Sequence, residues 1–461
     1  MKNFVLLSIS ICLLLAACRK DSFITSPDAS VYISTDSLHY DTVFTSSGST
    51  YRSFFIRNDN NQKINLSSLT LSGGTASSFT LNVDGVPGTS FSNIEINGHD
   101  SVYVFAQVNI DPSLNNLPFI VQDSILINYN GKTRKVQLEA WGQNAHFLRN
   151  KIVSNDETWY NDLPYVILGS LTVNEGKKLT INKGCRIYMH ADAPVFVDGS
   201  LQVNGLKDSA DRVYFTGDRL DEPYRYFPAS WPGIYFSTTS KDNIFNFATI
   251  KNAYQAIGVD GPSFNTNPKL VLNQCIIDNA YDAGIIAIQS SITATNTLVS
   301  NCGKNLFLIK GGDYFFTHCT VVSIANLLVD HKDPVLTLTN YDNTSTAPLT
   351  AHFTNCIFWG EYGLTENEVL VDKSGTDPFS VNFQNVLWKV QSPPANVTSQ
   401  NIIANQSPQF EDINTAHNFY NFRLRSNSPA VDMGANTGII IDLDGNPRPV
   451  NQPDIGCYER Q

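Results

Sequence analysis

Short apolar runs, each introduced by one or two small polar residues and closed by a turn, recur through the middle of the chain. Six of them superpose, at residues 246–253, 273–280, 295–302, 317–323, 354–360 and 382–388. Their small central residues, taken as markers, are Ala248, Cys275, Thr297, Cys319, Cys356 and Asn385, so the steps are 27, 22, 22, 37 and 29 residues. A period in the twenties interrupted by irregular steps is the pattern of a solenoid with loops inserted at its turns. Ile250-Lys-Asn-Ala-Tyr-Gln-Ala256 and Ile277-Asp-Asn-Ala-Tyr-Asp-Ala283 agree at five of seven positions. Val, Ile, Thr, Phe and Tyr dominate the runs and Gly and Asn punctuate them, which predicts strands rather than helices. The Leu-x-x-Leu-x-Leu frame of a leucine-rich repeat is absent. In a stack of coils, equivalent residues lie about 4.8 Å apart. Asn252, Asn279 and Asn301 are then expected to form an amide ladder at one turn, and the marker column to point inward.

Residues 30–148 follow another pattern. Strand-like runs such as Tyr51-Arg-Ser-Phe-Phe-Ile-Arg57 and Asp100-Ser-Val-Tyr-Val-Phe-Ala-Gln-Val-Asn109 alternate with turn signals such as Asn130-Gly. This spacing predicts an immunoglobulin-like β-sandwich, acting as a spacer or an N-terminal cap. Strand–Gly–strand units from Tyr165 onward open the coil, assigned to 149–405, and residues 406–461 form a C-terminal module. Its expected task is to close an open β-helix end, whose unpaired backbone invites aggregation.

At the N-terminus a short basic start, Met1-Lys-Asn, precedes an apolar run from Phe4 to Leu15. That run is too short to span a bilayer and reads as a signal peptide over 1–17. Leu15-Ala-Ala-Cys18 resembles the bacterial lipobox, which implies lipidation of Cys18, a tether over 18–29 and a lipid-anchored envelope protein. The expected place is the outer membrane, on its periplasmic or surface face, with the anchor as the sole membrane contact. The formal charge of −11 and pI near 5.1 argue against nucleic acid, which needs a basic surface. Six further cysteines follow Cys18, and three sit on the marker column, where buried free thiols pack like small apolar residues. If any disulfide forms, Cys319 and Cys356 are the pair to suspect.

The run Gly199-Ser-Leu-Gln-Val-Asn-Gly205, then Trp231-Pro-Gly-Ile-Tyr-Phe236, then Ile250-Lys-Asn-Ala253 resembles the right-handed parallel β-helix lipoproteins of the Bacteroidetes type, in the pectin-lyase-like superfamily. The end of the chain, from Phe422-Arg-Leu-Arg to Asp454-Ile-Gly-Cys-Tyr-Glu459, is similar to the C-terminal module of such proteins. The resemblance covers about residues 150–460 and implies architecture more than activity, since one fold hosts many functions. The fold class is therefore all-β, an immunoglobulin-like sandwich followed by a right-handed parallel β-helix.

Superfamily lyases combine acidic Ca²⁺ ligands with an Arg or Lys base, and its hydrolases use clustered Asp residues. Stacking the repeats brings Lys251 beside Asp278, and Gln255 beside Asp282 and Lys304; these two Asp and two Lys are the catalytic candidates. Paired surface charges that steady adjacent coils are the plainer reading. Ca²⁺ is compatible with such a site but no cofactor is required, and no His or Cys spacing suits zinc. Tyr224, Arg225, Tyr226, Trp231 and Tyr235 form a candidate glycan platform of flat rings and a carboxylate-binding guanidinium, while Trp231 and Tyr235 also read as packing the loop onto the coil, which the resemblance favours for Trp231. Asp330-His-Lys-Asp333 is a dense ionisable cluster, read as a solvated turn or an acid–base site. Asp442-Leu-Asp-Gly-Asn resembles the start of a calcium loop, but Pro453 stands where the closing Glu belongs, so a turn is expected. The favoured function is non-catalytic binding of polysaccharide or a surface protein along the coil. A lyase or hydrolase of acidic glycans is the alternative, and a structural envelope component the third reading.

Overall fold

The computed structural model describes residues 22–44, 51–109, 119–449 and 452–461, so Cys18 and the signal segment lie outside the described residues. Two compact units divide between Asn144 and Ala145.

The first unit is built from two five-stranded sheets that share one apolar core. One sheet runs in the order Val31–Ile33, Arg52–Asn58, Ser101–Val108, Phe79–Val83, Val86–Gly88. The other runs Ser37–Phe44, Lys132–Gln143, Phe119–Tyr129, Ile64–Leu71, Ser90–Ile96. Alternation drives the packing: Val102, Val104, Ala106 and Val108 point into the core while their neighbours face solvent. The Tyr40 hydroxyl crosses between the sheets and donates to the Ala106 carbonyl at 2.5 Å. Burial pushes that phenol well above its usual range.

The second unit is a parallel β-helix. Its 24 strands, from His146–Val153 to Thr398–Ala404, join in one sheet. Successive coils stack in parallel register in three columns. The third column contains Val213–Gly217, Ala248–Lys251, Ile276–Asp278, Leu298–Ser300, Thr320–Ile324 and Ile357–Glu361. Apolar residues fill the interior, as in the stack Phe316–Phe353–Phe383, with ring centroids 5.5 and 5.0 Å apart. The markers Ala248, Cys275, Thr297, Cys319 and Cys356 are all buried. The last marker shifts by one: Ile357 pairs with Leu387, so Val386, not Asn385, is the equivalent of Cys356. Asn385 instead matches Asn355, both in the left-handed region, at φ of 51° and 55°. All six described cysteines are free and buried, Cys319 and Cys356 included. Burial raises the Cys275 thiol to about 11. Among the described residues no helix is long and apolar enough to cross a membrane.

The Asn ladder forms over two rungs and stops at the third. Asn252, Asn279 and Asn301 all take left-handed backbone, with φ of 63°, 60° and 52°. The Asn279 amide donates to Asn252 Oδ1 at 2.8 Å, whereas Asn301 turns toward Asp278 and accepts from the Ile324 amide.

Residues 406–449 and 452–461, in the module read from sequence as closing the coil's end, lie along the outward face of the third column. That face is apolar there, with Leu298, Val322, Ile357, Trp359 and Leu387 packed against Phe410, Phe422, Leu424 and Ile455. A second column of turn residues grips the segment. Asn296, Asn355 and Asn385 each donate at 2.8 Å, to the carbonyls of Ile441, Ala435 and Met433, and His318 meets the Thr437 hydroxyl. The segment thus runs against the direction in which the coils stack.

Candidate functional site

Long loops leave the third column at two coils, after Val213–Gly217 and after Thr320–Ile324. Between them, on the outward face, lies a cleft of about 300 Å³. Arg219, Arg225 and Tyr226 come from the first loop, Lys251 and Asp278 from neighbouring rungs, and Tyr420 from the C-terminal segment. Two ladder amides pin the first loop in place: Asn252 donates to the Arg225 carbonyl and Asn279 to the Tyr226 carbonyl, both at 2.8 Å.

The four catalytic candidates separate into two pairs. Lys251 Nζ lies 3.0 Å from Asp278 Oδ2 in this cleft, and Asp278 Oδ1 also accepts from the Ser300 hydroxyl at 2.7 Å. The Asp278 charge raises the Lys251 ammonium above its usual range, which opposes the neutral form a general base requires. Lys304 and Asp282 pair at 2.9 Å in a neighbouring cleft of about 290 Å³. There, burial pushes the Asp282 carboxyl up, but hydrogen bonds from Gln255 and Lys304 outweigh it and leave it lowered. The Lys304 ammonium is raised by its bond to Asp282. Among the described residues no group of three or more His, Cys, Asp or Glu side chains is placed to hold a metal ion.

The aromatic candidates divide as well. Arg225 and Tyr226 line the cleft, and Tyr224 stands in the same loop with the Arg219 guanidinium 3.9 Å from its ring centre. Trp231 is buried, its indole donating to the Lys251 carbonyl at 2.8 Å, so it offers no face to a ligand. Tyr235 donates to the Pro232 carbonyl at 3.0 Å and leans on Phe196. Of the Asp330–Asp333 cluster, His331 is buried against Glu368 at 2.9 Å, while Asp330 and Lys332 pair in solvent. At the Asp442 turn, the carboxylate already accepts from the amides of Asp444, Asn446 and Glu459. One oxygen is taken up by the turn's own amides and the other by the distant Glu459 amide.

Sequence reasoning missed Arg219, Asn326 and Tyr420 in the cleft. Arg219 was within reach, being a cation five residues before Tyr224. Asn326 and Tyr420 carried no signal, because they arrive from an inserted loop and from the distant C-terminal segment. Asp218, one residue before Arg219, pairs with His190 at 2.7 Å. Burial raises its carboxyl despite that partner.

No family model and no curated protein matches the chain. Among solved structures it is similar to Dex49A from Penicillium minioluteum, at 10% identity over 80% of this chain and 72% of that one, with a TM-score of 0.24. It is similar to the catalytic unit of a GH87 alpha-1,3-glucanase from Streptomyces thermodiastaticus, at 10% identity over 76% and 90%, with a TM-score of 0.24. A family 123 glycoside hydrolase from Clostridium perfringens is matched at 10% identity over 24% of this chain and 26% of that one, with a TM-score of 0.18. Likenesses this distant say nothing of this chain's activity.

Proposed function

We propose that this is a lipid-anchored envelope protein of the Bacteroidetes type, whose right-handed coil binds acidic polysaccharide without cleaving it. The immunoglobulin-like module would space the coil from the membrane. The three cations of the cleft lining carry the reading. Arg219, Arg225 and Lys251 gather on one lining, and each has a carboxylate partner, Asp221 at 2.9 Å, Glu222 at 3.8 Å and Asp278 at 3.0 Å, so Arg225 is the most loosely held of the three. An anionic ligand would enter by displacing the loosest of these partners. Arg225 sits 3.8 Å from Glu222 with both side chains half-exposed, which leaves its guanidinium free to engage a uronate carboxylate.

The test uses the chain from Arg19 onward on neutral and acidic polysaccharides, with and without Ca²⁺, followed by size-exclusion chromatography. Co-migration with acidic polymers that Arg225→Ala and Lys251→Ala abolish is expected. Asp218 favours a second reading, since a raised carboxyl suits a general acid. Polymer shortening that disappears in Asp218→Asn would replace binding by hydrolysis.

A further inference from the structure

Beside the cationic cleft, the coil carries a feature that its charge pattern does not absorb. The tyrosines of the two best-matching repeats, Tyr254 and Tyr281, stack on adjacent rungs with ring centroids 5.9 Å apart and planes at 25°. They are 46% and 54% exposed, unlike Ala253 and Ala280 just before them, which are buried. The next rung would place a third side chain on the row, but Gly303 stands there. A Cβ at Gly303 would come within 2.4 Å of the Tyr281 carbonyl oxygen, so the backbone approach forbids one. The row therefore ends at Tyr281, which lines the 290 Å³ cleft with Lys304, Asp282 and Leu328. Leu327, 98% exposed, stands at the same cleft.

We propose that the Tyr254–Tyr281 pair and this cleft form a carbohydrate subsite for an uncharged sugar ring. Two properties select that ligand. The charges cancel locally, with Lys304 on Asp282 at 2.9 Å and Lys332 on Asp330 at 2.5 Å, leaving Asp333 and no surplus cation to attract a uronate. The polar groups are also held in place, since Gln255 donates to Asp282 at 2.7 Å from the other side. Flat aromatic faces beside fixed donors and acceptors match the C–H face and hydroxyl rim of a pyranoside. Leu328 borders both clefts, so the subsite adjoins the cationic one. Its ligand chemistry differs, and it does not rest on the acidic-glycan reading.

The experiment titrates the chain from Arg19 onward with cello-, laminari-, manno- and xylo-oligosaccharides and with a uronate oligomer, followed by isothermal calorimetry and saturation-transfer NMR. At least one neutral oligomer is expected to bind. Tyr281→Ala should weaken it roughly tenfold. Tyr281→Phe should retain most of it, and Arg225→Ala should leave it unchanged. An unaltered melting temperature in Tyr281→Ala separates lost binding from lost folding; Lys304→Gln, which keeps the ring and breaks the ion pair, gives a second reading of the same cleft. Four results would overturn the proposal: no neutral oligomer bound at about 10 mM, binding indifferent to Tyr281→Ala, binding lost with Arg225→Ala, or Tyr281 reporting the uronate alone. Loss of uronate binding through Arg225 with neutral binding intact would show that the two clefts stand or fall separately.

Discussion

Inside the coil, each rung presents the same kinds of residue to the same neighbours, and adjacent rungs stack like on like. The flank beneath residues 406–461 is built on another plan. Of the nine buried acidic or basic side chains among the described residues, six lie at this junction: Arg212, His318, Asp442, Arg448, Asp454 and Glu459. Arg448 donates to Glu459 at 2.7 Å, to the Asp454 carbonyl at 3.1 Å, and to Asn296 and the Gly456 carbonyl at 3.2 Å each. Arg212 reaches the carbonyls of Gln274 and Leu443, the second 231 residues away in sequence. A periodic interior tolerates any apolar residue of the right size, whereas a single docking event must fix its own register. Buried charges with defined partners can do this, because misplacing them leaves them unpaired.

Phe353→Ala tests the interior and should cost most. It removes the middle ring of the Phe316–Phe353–Phe383 stack, with a loss of about 3–5 kcal/mol. Denaturant unfolding should register the loss, and hydrogen exchange should quicken in the coil amides. Arg448→Met tests the flank. It strands the buried Glu459 carboxylate, at about 3 kcal/mol, the lower end for a broken buried pair, because the segment can lift locally and hydrate it. Exchange should quicken across residues 428–459 and leave the strands of 246–360 protected. Equal loosening in both regions would show one cooperative unit and erase the contrast drawn here.

Acidity probes the flank alone. Burial first, and then the Arg448 charge, lower the His318 imidazole to about 3. A depressed histidine adds stability that is full above its unfolded value, near 6.5, and is lost as pH falls through about 3. Burial raises Glu459 to about 7, which acts in the opposite sense: its contribution is full below the unfolded value near 4.5 and is lost as pH rises through about 7. The two slopes oppose between pH 6.5 and 4.5, and the Asp442 and Asp454 carboxyls, which burial also raises, act with Glu459, so docking of the segment should weaken only below their unfolded value near 3.8. His318→Gln should remove the acid loss, and stability should then rise on acidification by up to about 1.4 kcal/mol per pH unit. Exchange in 428–459 across pH 4–7 reads both profiles. A variant with the wild-type profile would sever His318 from the docking equilibrium.

The same contrast explains what the sequence made legible. The repeat placed Lys251 beside Asp278 and Asp282 beside Lys304, because parallel stacking turns a step in sequence into a neighbour in space. It also placed two of three ladder amides. It misaligned Asn385, since an Asn suits both a small-residue column and the left-handed turn before it. Trp231 reads both as a platform ring and as packing for the loop, and the second holds: it is buried with its indole on the Lys251 carbonyl. The flank was illegible: its cluster joins Leu298 and Trp359 to Phe422 and Ile455, which share no period. The cleft inherits that limit, because Tyr420 reaches it from the segment.

The smallest effect separates the cleft from both frameworks. Lys251 and Asp278 are 45% and 17% exposed, so Lys251→Met should change stability by less than about 1 kcal/mol, as for a solvent-screened pair. If the pair served mainly to tie adjacent coils, the melting temperature would drop and acidic-polysaccharide retention would follow only through unfolding. If Lys251 holds ligand, retention should fall at an unchanged melting temperature, and Lys251→Arg should restore much of it. Phe353→Ala gives the opposite signature, a large loss of stability with retention intact below the melting transition. The two variants together show whether the stability of the stack and retention at its cleft are separable.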